Sequence, residues 1–88
     1  MDTKELLETN GINTDDDEIV EIDGFQDAIV GITDDSILIY SYEKMVEVMV
    51  NKGEDAIDAM DYIDYNILRF ASYISRHPII MYEVKHGT

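Results

Sequence analysis

The chain has no cysteine, no tryptophan and one proline, and only six basic residues stand against 20 acidic ones. Without cysteine, a disulfide scaffold and a Cys-ligated zinc site are both excluded. A formal net charge of -14 over 88 residues excludes a basic grip on nucleic acid, because a phosphate backbone would be repelled rather than neutralised. Long apolar runs are missing as well: none approaches the roughly 18 residues that a membrane span needs. The start, Met1-Asp2-Thr3-Lys4-Glu5, lacks the basic and apolar regions of a secretory signal, so the expected location is the cytoplasm. The five glycines are scattered singly and form no phosphate-cradling loop.

What is present supports a folded protein. Hydrophobic residues make up 45% of the chain, too many for a disordered acidic tail. A chain of this length folds as a single domain over residues 1–88, burying roughly 60–65% of its unfolded surface. The charge is polarised along the sequence. Residues 1–35 hold 12 acids and one base, residues 36–66 seven acids and two bases, and residues 67–88 one acid and three bases. Residues 1–17 read as an acidic extension that is partly mobile.

Asp2 is an N-cap for a short helix that Asn10-Gly11 ends. Residues 18–22 alternate as a strand, and Asp23-Gly24 is a hairpin signal leading to a second strand within Phe25 to Thr33. Gly31 inside that run implies a bulge or a close neighbour. After the turn Asp34-Asp35-Ser36, Ile37 to Tyr40 is apolar on both faces and is expected to be central or covered. Ser41 caps a helix carrying Tyr42, Met45, Val46 and Met49 on one side, with Gly53 just past its end. Asp55 caps the next helix, with Asp58 completing a shortened capping box. Ala56, Met60, Ile63, Ile67, Phe70 and Ile74 form its apolar stripe, and Met45, Met49 and Met60 are expected in the core. Pro78 opens a last strand over Ile79 to Val84. The expected fold is α+β in the order α-β-β-β-α-α-β. Its sheet is small and mostly antiparallel, of three or four strands, with two or three helices on one face.

Phe25, Asp27, Ala28, Ile29 and Gly31, then Tyr40, Tyr42 and Lys44, then Gly53, Asp58 and Ala59, then Tyr62, Tyr65 and Asn66 together resemble a family of small bacteriophage and prophage proteins. The resemblance covers about two thirds of the chain. It departs at Glu54, where the family has an apolar residue, and near Ser75, where it has a glycine-containing turn. The resemblance implies a phage context and a similar fold, and nothing catalytic.

The residues offer little catalytic chemistry. Asp15, Asp16, Asp17 and Glu18 lack the alternate spacing, central glycine and twelfth-position glutamate of a calcium loop. With Asp34 and Asp35 they form a secondary acidic patch rather than a metal site. His77 and His86 have neither a second imidazole on a helix face nor a Gly-x-Ser-x-Gly turn to work with. No cofactor or metal is expected. The second long helix carries the sharper signal: Asp55, Asp58, Asp61 and Asp64 recur every three residues, interleaved with Tyr62 and Tyr65. These acids could simply keep an amphipathic helix soluble. In the functional reading they form, with the tyrosines, a face that binds a basic groove in a host protein, imitating a row of DNA phosphates. Asn66 is expected to bond neighbouring backbone. The leading expectation is therefore a non-enzymatic inhibitor or modulator, with anti-defence activity among its forms. It would contact neither nucleic acid nor membrane directly. The alternative is an assembly protein that self-associates, as a homodimer for example, through a sheet edge or the tyrosine-bearing helix.

Overall fold

A computed structural model describes residues 2–13 and 19–86. The chain begins with α1, Thr3–Thr9, and a 3-10 turn at Gln26–Ala28 precedes β1, Ile29–Ile32. Next come β2, Leu38–Ser41, then α2, Tyr42–Asn51, and α3, Ala56–Asn66. A 3-10 helix, Leu68–Tyr73, leads to β3, Ile79–Met81. The architecture is α+β, as expected.

The sheet has the order β1-β2-β3 and is mixed. β1 and β2 form an antiparallel hairpin, whereas β2 and β3 run parallel, joined by the crossover through α2 and α3 that parallel neighbours require. β2 is central, with Leu38 and Tyr40 fully buried on one face and Ile39 half-buried and Ser41 fully buried on the other. The register shifts between Ile29 and Gly31, so the glycine does mark a bulge. Ile39 Cδ1 lies 3.8 Å from where a Cβ on Gly31 would sit.

Three expected strands differ from what forms. Residues 19–22 run without strand pairing, because their polar groups are met another way. The Ile22 N–H donates to the buried Tyr40 hydroxyl at 3.0 Å, while Ile19 and Ile22 pack against the core. Asp23-Gly24 does turn, with Gly24 at φ 86°, but it leads into the 3-10 turn rather than a strand. Phe25 and Ala28 are both buried, and a spacing of three belongs to a 3-10 turn, not to alternation. Strand pairing at the C-terminal end stops at Met81 rather than Val84. Side chains continue it: the Ser41 hydroxyl donates to Glu83 at 3.1 Å, the Tyr42 and Tyr82 rings lie 4.9 Å apart, and Lys85 pairs with Glu43 at 3.0 Å.

The core unites Leu7, Phe25, Ala28, Leu38, Tyr40, Met45, Ile63 and Ile67. Residues 2–13 contain the expected capped helix. Asp2 accepts the Glu5 N–H at 2.8 Å, Gly11 takes φ 78° past the end, and Leu7 is in the core. Asp15, Asp16, Asp17 and Glu18 lie outside the described residues.

Candidate functional site

α3 is positioned by Ala59 and Ile63, its two buried residues, and it packs against α2. Each residue turns an α-helix by about 100°. Asp61 therefore lies opposite the buried side, with Asp58 and Tyr65 beside it and Tyr62 on one flank. Asp55, Asp58, Asp61, Tyr62, Asp64 and Tyr65 are all exposed, Tyr65 at 65%. The structure does not bring all four acids together. A three-residue step falls short of a full turn by about 60°, so the acids drift around the helix. Asp64 ends on the α2 side, where it accepts a long hydrogen bond from the Tyr42 hydroxyl at 3.4 Å. Burial, and after it the Asp64 charge, holds the Tyr42 pKa above its ordinary value.

The expected capping box is absent. Asp55 stands at the N-cap position with its carbonyl bonded to the Ala59 N–H at 2.8 Å, but its side chain caps nothing. Asp55, Asp58 and Asp61 consequently have no ion-pair or hydrogen-bond partner for their carboxylates among the described residues. Their charge is not consumed by the fold.

The apolar stripe also differs from expectation. α3 ends at Asn66, whose side-chain amide donates to the Tyr62 carbonyl at 3.1 Å, the backbone bond expected of it. Ile67 then leaves helical geometry at φ -122°, ψ -63°. A 3-10 helix follows, and its three-residue turn breaks the 3.6-residue phase of the stripe. Ile67 stays buried, while Met60, Phe70 and Ile74 are surface residues and Tyr73 is 81% exposed. Met60 is thus not a core residue.

Three neighbours of this face escape a reading based on helical periodicity. The Phe70 and Tyr73 rings lie 6.4 Å apart, and the Arg69 guanidinium carbon sits 5.1 Å from the Tyr65 ring centroid. The four-residue spacing from Tyr65 to Arg69 was the available signal. A groove of about 180 Å³ is lined by Val20, Ile22, Ile67, Phe70, Ile74 and Pro78 together with the polar Glu21, Asn66 and His77.

The described part of the secondary patch, Asp34 and Asp35, is a turn. Asp34 and Asp35 are exposed in the β1–β2 hairpin, and Asp35 accepts a hydrogen bond from the Thr33 hydroxyl. Arg76 donates to the Asp35 carbonyl. The Thr33 bond, with a smaller contribution from the Arg76 charge, holds the Asp35 carboxyl below its usual range. This bonding makes the pair a built turn. His77 Nδ1 and the Pro78 carbonyl oxygen share a contact of 2.6 Å. Among the described residues no cluster of three His, Cys, Asp or Glu is placed to hold a metal, and no helix is long and apolar enough to cross a membrane. Comparison with known protein families, curated proteins and solved structures finds no match to this chain.

Proposed function

We propose that the chain is a small binding protein that acts without catalysis, docking its α3 face on a basic surface of another protein. In the phage context that the resemblance implies, that partner is a host protein. The observation that carries this reading is the coexistence, on one helix, of exposed unpaired Asp55, Asp58 and Asp61 with exposed Tyr62 and Tyr65. Carboxylates that stabilise nothing within the molecule are available to steer a cationic partner, and rigid tyrosines add contact area at low entropic cost. A four-acid phosphate-like row is not part of the proposal, because Asp64 turns aside to Tyr42. Affinity purification from host lysate, at low and then high salt, tests the reading. Recovery of a basic protein that falls steeply with salt is expected; recovery unchanged by salt would overturn it.

A second reading, self-association, has its own support. β3 has β2 on one side and no strand on the other among the described residues, and Tyr82 and Val84 beyond it are exposed, Val84 at 78%. Free strand edges and apolar surface favour pairing between chains. Sedimentation at increasing concentration decides this reading, and a persistent monomer rejects it.

A further inference from the structure

Net charge explains why the α3 face would attract cations, but not which cation it suits. Two Asp–Tyr pairs repeat along it, Asp58 with Tyr62 and Asp61 with Tyr65. Within each pair the residues are four apart, hence one turn apart on the same side of the helix. The pairs are offset by three residues, which sets them side by side. Each offers a carboxylate next to an exposed ring.

Lysine and arginine draw different interactions from such a pair. An ammonium is a compact, strongly hydrated point charge. A guanidinium is planar and weakly hydrated; it stacks on an aromatic face and donates forked hydrogen bonds to a carboxylate at the same time. One such stack is already formed inside the molecule, where Arg69 lies over Tyr65 at 5.1 Å from the ring centroid, within cation–π range. The Tyr62 ring carries no such cation among the described residues.

We infer that the α3 face is a receptor for guanidinium groups, and that its partner presents an arginine-rich protein segment. One arginine engages the Asp58–Tyr62 pair, and a second pairs with Asp61 and displaces Arg69 from the Tyr65 ring. Arg69 is an internal competitor for the exposed Tyr65 ring. This rests on the reading of α3 as a docking face, and it adds a preference for arginine that charge alone does not produce.

The test uses the full chain at low salt, with fluorescently labelled octa-arginine and octa-lysine peptides of equal charge, read by anisotropy. Octa-arginine is expected to bind about threefold more tightly, the new cation–π contact at Tyr62 giving roughly threefold while the contact at Tyr65 only replaces the one that Arg69 makes. The preference should persist in a Tyr62→Phe/Tyr65→Phe variant, which keeps both rings, and vanish in Tyr62→Leu/Tyr65→Leu. Arg69→Gln should strengthen the binding of both peptides by removing a positive charge from the face, and should strengthen octa-arginine binding by about a further twofold to threefold by freeing the Tyr65 ring. Equal affinity for the two peptides overturns the inference and leaves the basic-surface reading standing. An arginine preference that survives the leucine variant overturns it in the same way. If neither peptide binds, both readings fall. Circular dichroism of each variant checks the fold, and Arg69→Gln tests the competition without altering either tyrosine.

Discussion

α2 and α3 are helices of ten and eleven residues that pack against each other, yet the molecule uses them in opposite ways. α2 starts on Ser41, which is fully buried; its hydroxyl accepts the Lys44 N–H at 3.3 Å and donates to Glu83. Met45 is buried beneath it, and residues 82–85 strap its first turn through Tyr82, Glu83 and Lys85. α3 starts on Asp55, whose side chain caps nothing, and it runs into a 3-10 helix with no buried residue. One helix therefore holds the fold together. The other leaves Asp55, Asp58, Asp61 and Tyr62 without structural tasks, and that is what makes them candidates for a partner.

The largest test of this contrast pairs one deletion from each helix. Met45→Ala should lose about 2–5 kcal/mol of stability, as large-to-small changes in a packed core do. Tyr65→Ala should stay within about 0.5 kcal/mol. Urea unfolding monitored by circular dichroism measures both, and comparable losses would erase the distinction.

Tyr40 sharpens the buried side further. Tyr40→Phe removes the acceptor of the Ile22 N–H and should cost about 1–3 kcal/mol. Burial, more than the nearby Glu21 and Asp23 charges, raises the Tyr40 pKa above 10.0, although the Ile22 bond opposes the shift. A phenol whose folded value lies above its unfolded value contributes stability that is fully present below the unfolded value. That contribution is lost as pH rises through the folded value. Thermal melts should therefore fall above about pH 10. The fall should be smaller in Tyr40→Phe, with the remainder assigned to Tyr42, whose pKa is also raised.

The smallest effect concerns the two N-cap positions. Ser41→Ala should destabilise by about 1 kcal/mol, the usual value of a cap. Asp55→Ala should change stability by only about 0.3 kcal/mol, through the helix dipole alone. Thermal denaturation of the two variants compares them directly, and equal losses would mean that Asp55 caps α3 after all.

Local signals were legible wherever a short-range rule sufficed. Asp2, Gly11, Ser41 and Gly53 marked helix ends through caps and left-handed turns, and the central position of β2 followed from its two apolar faces. Residues 19–22 were misleading because alternation describes a chain with one side buried, whether or not a neighbouring strand is there to pair with it. The partner of the Ile22 N–H is a tyrosine hydroxyl 18 residues away, and no local pattern announces that. The Ile67, Phe70, Ile74 stripe misled for a related reason. Once Asn66 bonds back to Tyr62 and Ile67 departs from helical geometry, a spacing of three or four no longer points to the core.

For the site, the sequence by itself determined that acids and tyrosines interleave on one helix, since spacing and the 3.6-residue turn suffice for that. It also determined both ends of α1 and α2, the start of α3 and the excess of negative charge. Only the tertiary structure decided which of those groups remain available. Asp64 was drawn toward α2, Asp35 into a turn braced by Arg76, and Arg69 onto Tyr65, while Asp58 and Asp61 were left facing outward. The physical reason is that helical spacing is a local property of the backbone, whereas the pairing of a side chain depends on whichever distant segment the fold brings beside it.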